Sequence, residues 1–522
     1  MIRRPTSRRG TLALIAAAAL LAPAGPAAAF AETENGEAQE SEEKKEAPEH
    51  EKSVTTGSVS IGGAAIPYEA TVGLMPMLDD KGEAKATFGY TYYRRTDVDD
   101  VAKRPIVFAY NGGPGSASMW LHMGVLGPRR VALADGAHTG PAPYAHVNNE
   151  HSVLDVADLV MMDPVGTGYT ELLGETKGED YWGVDQDGDA AAEFMARFTT
   201  ENGRWLSPKF MLGESYGGMR AGVTTYRLLT RHNMDLAGVV LVSPFMDYTA
   251  GADGEAMDLA HTLFLSTFAA TAWYHEALDA RPEELRPFLA EVDEFAAGPY
   301  LLALRRGNRL PDAERDAIAE QLAGYTGLDK EYWLMANLRV NHQQFLKELM
   351  RKTGKTVGRI DSRFIGAHVR PLAESMDYDP YFSTVRAAYT AAFLDYMTGT
   401  LKFGADKKYK ISGGVFGKWD WSHAAPGGAG WSQTAPNTGV DFEHAMKQNP
   451  TMKVLIQQGY YDLATPYGAT DYFVDHMDLT AEERARITTE YYEAGHMMYV
   501  HPASLEKYAK DLRDFVKDAV GK

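Results

Sequence analysis

Continuous apolar runs recur along this chain, and stretches long enough for helices separate them. Strands that are buried on both faces of a sheet give such runs, because neither face accepts polar side chains. The alternation of strand and helix predicts a doubly wound α/β fold with a mostly parallel sheet. The apolar runs are PIVFAY (105–110), DLVMMD (158–163), KFMLG (209–213), AGVVLVSPF (237–245) and MKVLIQQGYYD (452–462).

The first 31 residues have the pattern of an export signal. Four arginines within residues 3 to 9 precede the apolar run TLALIAAAALLAPAG, and Ala29 and Ala31 fit an A-x-A cleavage site. The run is too short, and too interrupted by prolines, to be a membrane-spanning helix. The sequence therefore predicts export to the periplasm or the extracellular space. The twin arginines leave open whether export follows the general or the twin-arginine route.

The remaining chain divides into four parts by composition and periodicity. Residues 32–55 are acidic and nearly free of apolar side chains, which predicts a disordered linker. Residues 56–250 and 406–522 carry the strand and helix rhythm, including an alternating run at 86–95 that predicts an antiparallel strand. Residues 251–405 have helical patterning and no clear buried strand, which indicates a mainly helical cap inserted into the α/β core.

Composition excludes several classes of protein. The formal net charge is −19 before the basic signal is removed, so nucleic acid is not an expected partner. The chain has no cysteine and can form neither disulfides nor a lipidated N-terminus. DQDGDAAAE (185–193) departs from a calcium loop at its glycine and its last ligand, and no zinc or phosphate-loop motif occurs. We expect no metal and no cofactor; the oligomeric state stays open.

The segment KFMLGESYGGMRAG (209–222) places Ser215 between a predicted strand and a predicted helix. A G-x-S-x-G match alone is weak, but small residues around a serine in a strand-turn-helix context are typical of a nucleophile elbow. Such a turn presents the hydroxyl above the carboxyl edge of the sheet. The sequence therefore indicates that Ser215 is a nucleophile.

A serine hydroxyl needs a histidine base and a carboxylate that orients the histidine. Asp462 ends one strand pattern and His496 follows the next, which gives the chain order Ser, Asp, His of α/β hydrolases. Asp247, after LVSPFM, is a rival for the acid, and His501 is a rival for the base. The sequence favours Asp462 and His496 without excluding these rivals.

The loop NGGPGSAS (111–118) follows the strand IVFAY directly. In hydrolases of this type, one amide of an oxyanion hole comes from that position and the other from the residue after the nucleophile. The amides of Gly113 and Tyr216 are therefore the candidates for the oxyanion hole. The alternative is a plain glycine and proline turn.

Five motifs in order, from residue 111 to residue 499, make the chain resemble the serine carboxypeptidase family, in particular its secreted bacterial branch. They are NGGPGSAS, DPVGTGY, GESYGG, YYDLATP and AGHMMY. The resemblance implies an α/β-hydrolase core with an inserted helical cap, and release of amino acids from peptide C-termini. It further implies that Asn111 and Glu214 hold the terminal carboxylate of the substrate.

One position departs from the family pattern. Val125 stands fourteen residues after Asn111, where the family often has a second glutamate. A valine cannot share a proton, so recognition of the carboxylate is expected to be weaker or built differently. An esterase or another acyl hydrolase on the same fold is the alternative function, and an inactive binding protein is a third hypothesis that an intact Ser, Asp, His set disfavours.

Overall fold

The computed structural model describes residues 51–133, 139–254, 257–428, 432 and 434–521. The predicted export signal (1–31) and most of the predicted linker (32–55) lie outside these residues. No helix within the described ranges is both long and apolar enough to cross a membrane. The strands, in chain order, are β1 (Glu51–Ile61), β2 (Ala64–Leu78), β3 (Ala84–Arg95), β4 (Ile106–Tyr110), β5 (Arg129–Val131), β6 (His146–Asn148), β7 (Asp158–Asp163), β8 (Lys209–Glu214), β9 (Gly238–Val242), β10 (Lys355–Val357), β11 (Ile365–Ala367), β12 (Lys453–Gly459) and β13 (Ile487–Tyr492).

Nine of these strands form one mixed sheet in the order β1-β2-β3-β7-β4-β8-β9-β12-β13. From β7 to β13 all neighbours are parallel. The first three strands are antiparallel to one another, and β3 joins β7 in antiparallel fashion. This topology confirms the predicted α/β fold with a mostly parallel sheet, and it confirms the antiparallel strand predicted at 86–95.

Helices cover both faces of the sheet, as a doubly wound fold requires. They are α1 (Met119–Leu121), α2 (Val184–Glu201), α3 (Gly217–His232), α4 (Tyr248–Gly251), α5 (Asp258–Tyr274), α6 (Leu285–Phe295), α7 (Leu301–Arg306), α8 (Asp312–Thr326), α9 (Lys330–Met335), α10 (His342–Glu348), α11 (Pro380–Asp395), α12 (Gly439–Gln448), α13 (Tyr467–Asp475), α14 (Ala481–Arg484) and α15 (Pro502–Ala519). Along β4, Val107 and Ala109 belong to the apolar core that contains α11 and α15. Ile106 and Phe108 belong to the opposite core, with α2, α3 and α12. Burial on both faces explains why the central strands read as continuous apolar runs.

The first two strands form a long hairpin that the sequence analysis missed. β1 pairs with β2 along its whole length, from Glu51 opposite Leu74 to Ile61 opposite Ala64. The predicted end of the acidic linker was therefore wrong, because residues 51–55 already lie in β1. Most β1 side chains are exposed or half-buried, so the pairing depends on backbone hydrogen bonds and leaves little apolar pattern in the sequence.

The segment between residues 251 and 405 contains the helices α5 to α11 and the short pair β10 and β11. It has an apolar core of its own, in which the rings of Phe268 and Phe345 stack with centroids 4.1 Å apart. The same core includes Tyr460 and Tyr461, which follow β12. The mainly helical segment therefore packs against chain that leaves the carboxyl edge of the sheet.

Candidate active site

Ser215 lies in a tight turn between β8 and α3. Its backbone is in the left-handed region with a φ of 64°, which a residue with a side chain seldom adopts. The Ser215 amide donates to the Val242 carbonyl at 2.9 Å, and the Ser215 carbonyl accepts from the amides of Gly218 and Phe245 at 2.8 and 2.9 Å. A Cβ on Gly213 would lie 2.4 Å from the Gly217 carbonyl oxygen. The glycines thus permit a turn that leaves Ser215 half-buried at the sheet edge.

Asp462 and His496 follow the neighbouring parallel strands β12 and β13, whose last residues pair in register. The distance from His496 Nδ1 to Asp462 Oδ2 is 2.7 Å, and both side chains are buried. The other carboxylate oxygen of Asp462 accepts from the amides of Ala464 and Thr465 at 2.8 and 3.0 Å. Thr465 Oγ1 also lies 2.8 Å from Asp462 Oδ2 and 3.0 Å from His496 Nδ1. The sequence analysis missed Thr465, which fixes the carboxylate.

The protonation of His496 depends on two opposing effects. Burial alone lowers the pKa of His496, but the charge and hydrogen bond of Asp462 and the charge of Glu214 together raise it above its ordinary value. The His496 amide donates to the Ile360 carbonyl at 2.7 Å, and the His496 carbonyl accepts from Ser243 Oγ at 2.9 Å. Hydrogen bonds at both its amide and its carbonyl therefore fix the backbone of His496.

The loop after β4 runs directly against the Ser215 turn. A Cβ on Gly112 would lie 2.5 Å from the Tyr216 amide nitrogen and 2.6 Å from the Glu214 carbonyl oxygen, so only glycine permits this approach. Gly113 has a φ of 109° and is exposed. Gly113 and Tyr216, the predicted sources of two amide donors, therefore border the same cavity as Ser215.

Arg220, a buried residue of α3, contacts both the loop after β4 and the Ser215 turn. The sequence analysis also missed this residue. Its Nη1 donates to the Asn111 carbonyl at 2.9 Å, and its Nε donates to Asp187 Oδ2 at 2.7 Å. The guanidinium also lies 4.8 Å from the ring centroid of Tyr110 and 5.6 Å from that of Tyr216. A single buried cation thus contacts both the Asn111 loop and the residue after Ser215.

Asn111 and Glu214 meet beside the serine. Asn111 Nδ2 donates to Glu214 Oε1 at 2.6 Å, and Tyr499 OH donates to Glu214 Oε2 at 2.8 Å. Burial raises the pKa of Glu214 to about 7, although the charge of His496 and these two hydrogen bonds act in the opposite direction. Glu214 can therefore carry a proton near neutral pH. Tyr499 is a further residue that the sequence analysis did not identify.

These groups border one cavity of about 820 Å³. Its lining includes Asn111, Glu214, Ser215 and His496 from the α/β core. The mainly helical segment contributes Phe264, His342, Arg359, Phe382 and Arg386. Residues of the 251–405 segment therefore border the same cavity as Ser215. A cavity of this volume lies within the range of ligand-binding clefts.

The two rivals occupy other places. The Asp247 side chain accepts from the Thr249 amide at the start of α4 and from Asn437 Nδ2. His501 precedes α15, where its Nδ1 lies 2.7 Å from Ser504 Oγ. Neither residue borders the cavity. Within the described part of the chain, no group of three or more His, Asp or Glu side chains could hold a metal ion.

Comparison with known proteins finds similarity to serine carboxypeptidases over part of the chain. The serine carboxypeptidase family model matches residues 71–293. The chain is 30% identical over 236 residues to the pheromone-processing carboxypeptidase KEX1 of Phytophthora infestans. This alignment covers 39% of this chain and 36% of that protein. It is 28% identical over 165 residues to serine carboxypeptidase-like 36 of Arabidopsis thaliana. That alignment covers 31% of this chain and 32% of that protein. The chain thus spans about a third of the length of these curated relatives.

A solved structure extends the similarity beyond the matched segment. The fold resembles that of KEX1(DELTA)P, a prohormone-processing carboxypeptidase from Saccharomyces cerevisiae, with a TM-score of 0.52. The two are 13% identical, and the superposition covers 86% of this chain and 92% of the other, so the similarity concerns the fold. Asn111, Glu214 and Ser215 lie inside the family match, whereas Asp462 and His496 lie beyond it. His496 borders the same cavity as Ser215, and Asp462 contacts His496.

Proposed function

We propose that this chain, which the serine carboxypeptidase family model matches over residues 71–293, belongs to that family and is a serine-type carboxypeptidase that releases amino acids from the C-terminus of peptides. The observation that carries this proposal is the buried hydrogen bond between Asn111 and Glu214, on the cavity that contains Ser215. An esterase needs the serine, the histidine and the aspartate, but it has no use for a protonatable carboxyl group beside them.

In the proposed reaction, Ser215 Oγ attacks the carbonyl carbon of the last peptide bond and gives its proton to His496. Because Nδ1 of His496 contacts Asp462, Nε2 is the nitrogen that takes this proton. The imidazolium then protonates the leaving amine, and the C–N bond breaks to leave an acyl-enzyme. Water, deprotonated by the same nitrogen, attacks the ester and restores the serine hydroxyl.

The negative charge on the attacked carbonyl oxygen needs hydrogen-bond donors that are already in place. We assign this role to the amides of Gly113 and Tyr216, two residues that border the same cavity as Ser215. The close contact at Gly112 and the buried Arg220 support the assignment, because both hold the two segments at a fixed separation. Donors fixed in advance do not need to reorganise during the reaction.

Asn111 and Glu214 are proposed to hold the free carboxylate of the substrate. Two carboxylates at hydrogen-bond distance cannot both stay ionised, so Glu214 has to be protonated when the substrate binds. Its pKa of about 7 makes the proton available at and below neutral pH. The amide of Asn111 remains a neutral donor throughout.

The division of the chain is part of the proposal. We propose export by residues 1–31 to the periplasm or the extracellular space, followed by a linker that ends before residue 51. The α/β core then comprises residues 51–250 and 406–522, and residues 251–405 form a cap that covers the site. The strands found within the two core parts and the helices found between them support these boundaries.

A pair of blocked peptides that differ only in a free or an amidated C-terminus tests this function. At pH 6, we expect kcat/KM for the free acid to exceed that for the amide by about 10- to 100-fold, the effect of hydrogen bonds to a charged group. The same scissile bond in both peptides serves as the control. Equal rates for the two peptides would contradict the proposed function and favour an esterase.

The variant Glu214→Gln tests the shared proton. For the wild-type protein, kcat/KM for the free acid should decline as the pH rises through about 7, because Glu214 then loses its proton. A glutamine donates to a carboxylate at any pH, so the variant should lose this decline even if its maximum rate is lower. An unchanged decline would show that another group is responsible.

A further inference from the structure

We propose that Tyr499 is the positioning residue of Glu214, the carboxyl group that receives the substrate's carboxylate; this inference rests on the proposed function. Tyr499 OH donates to Glu214 Oε2 at 2.8 Å, while Asn111 Nδ2 donates to Oε1 at 2.6 Å. Each oxygen of Glu214 thus has one neutral donor. No arginine or lysine forms an ion pair with Glu214 within the described ranges.

The position of the Tyr499 ring is set by Gly124. A Cβ on Gly124 would lie 2.4 and 2.5 Å from two ring carbons of Tyr499, so the ring fits only against a glycine. On its other side the ring meets Tyr508 edge-on, with centroids 6.2 Å apart. Val125 is buried in the apolar core next to this contact. The hydroxyl of Tyr499 therefore reaches Glu214 from a rigid, buried ring.

A tyrosine differs from a carboxyl group in one chemical respect. Burial, followed by the charge of Glu214, raises the pKa of Tyr499 well above its ordinary value, so its hydroxyl keeps its proton. Tyr499 can donate to Glu214 but cannot supply the proton that Glu214 shares with the substrate. Of Tyr499 and Glu214, Glu214 is therefore the residue whose proton can be shared with the substrate.

Other groups around Glu214 act on its proton as well. The charge of His496 lowers the pKa of Glu214 and the charge of Asp462 raises it, after the larger effect of burial. The buried tyrosines whose own pKa values are raised in part by the charge of Glu214 are Tyr381, Tyr389, Tyr499 and Tyr508. Of these four, Tyr499 is the one that donates a hydrogen bond to the Glu214 carboxyl.

The variant Tyr499→Phe removes the hydroxyl and keeps the ring. The ratio of kcat/KM for a blocked free-acid peptide to that for its methyl ester falls with pH as Glu214 loses its proton. Without the Tyr499 hydrogen bond to the charged form, the midpoint of that fall should move up by about one pH unit. Tyr508→Phe is the matched control, because the Tyr508 hydroxyl is buried and has no partner among the residues the structure describes.

A titration without substrate keeps the inference separate from the function. The infrared carbonyl band of the protonated Glu214 carboxyl, identified by its loss in Glu214→Gln, should disappear with a midpoint near pH 7 in the wild-type protein. We expect a midpoint about one unit higher in Tyr499→Phe and an unchanged one in Tyr508→Phe. Gly124→Ala, which displaces the ring, should shift the midpoint in the same direction.

These measurements have distinct outcomes. If the infrared midpoint is the same in Tyr499→Phe and in the wild-type protein, or moves down, Tyr499 does not position Glu214 and the inference is overturned. If the infrared midpoint moves up while acid and ester substrates show no difference in the wild-type protein, the proposed carboxylate recognition fails and the contact between the two residues stands. In a Glu214→Gln background, which lacks both the infrared band and the alkaline decline, Tyr499→Phe should restore neither.

Discussion

Raising the pH from 6 to 9 should destabilise this protein through one buried histidine, His423. Its Nδ1 lies 2.7 Å from Asp185 Oδ1 and its Nε2 lies 2.8 Å from Asp441 Oδ2. Burial by itself lowers the pKa of His423, but the hydrogen bonds and charges of the two carboxylates raise it to about 9. The protonated ring thus joins α2 and α12 to the loop that carries Trp419 and Trp421, and Trp421 borders the active-site cavity.

The magnitude follows from the difference between the folded and unfolded states. A histidine whose pKa is raised on folding adds stability that is complete below its ordinary pKa of 6.5 and is lost as the pH rises through about 9. The whole shift corresponds to about 3 kcal/mol. We expect a loss of roughly 2 kcal/mol, because the Asp185 side chain is 25% exposed and water screens its interaction with His423.

Urea unfolding at pH 6, 7.5 and 9 measures this loss. Other groups also titrate in this interval, so the quantity of interest is the difference in free energy of unfolding between the wild-type protein and His423→Gln. That difference should shrink by about 2 kcal/mol between pH 6 and 9. His476→Gln, which replaces an exposed histidine, is the control variant. Parallel pH curves for wild type and His423→Gln would refute the reasoning.

Two further changes test the nucleophile and the loop beside it. Ser215→Ala should abolish turnover and labelling by an active-site phosphonate while the thermal unfolding midpoint is retained; full labelling of the variant would exclude Ser215. Gly112→Ala introduces a Cβ 2.5 Å from the Tyr216 amide, so kcat should fall by about 100-fold or more, with about 1–3 kcal/mol lost in stability. Gly140→Ala, where a Cβ would meet nothing within 4 Å, is the control for both measurements. An unchanged kcat in Gly112→Ala would show that the loop does not fix the donors.

The central strands and the Ser215 turn could be predicted because their signals are local. A strand buried on both faces, such as β4, needs apolar side chains at nearly every position, so its sequence shows the strand directly. The turn needs glycines on both sides of Ser215, because a Cβ on Gly213 would strike the Gly217 carbonyl oxygen and a Cβ on Gly218 would lie 2.9 Å from Pro244 Cβ. The chain order of Asp462 and His496 then follows from the order of the strands.

The features that the sequence did not reveal depend on partners far away in the chain. The β1 strand is stabilised mainly by pairing with β2, and its half-exposed side chains carry little pattern. In the sequence, Arg220 resembles the other polar residues of an amphipathic helix. In the structure it is fully buried and donates to the Asn111 carbonyl, 109 positions away. Tyr499 reaches Glu214 across 285 positions. A contact of this kind has no local signature, so only the assembled fold reveals it.

The two titratable groups of the site place opposite demands on the pH, so the reaction of a free-acid substrate should have both an acid and an alkaline limit. His496 has to be neutral to accept the serine proton, while Glu214 has to be protonated to face a carboxylate. The charge of Glu214 is one of the causes that raise the pKa of His496. A bound carboxylate shares the Glu214 proton, so the pair still carries one negative charge near His496 and the pKa of His496 stays raised. We therefore expect a bell-shaped pH profile of kcat/KM for a free-acid substrate, limited on the acid side by His496 and on the alkaline side by Glu214, whereas an amide or an ester should show the His496 limb alone.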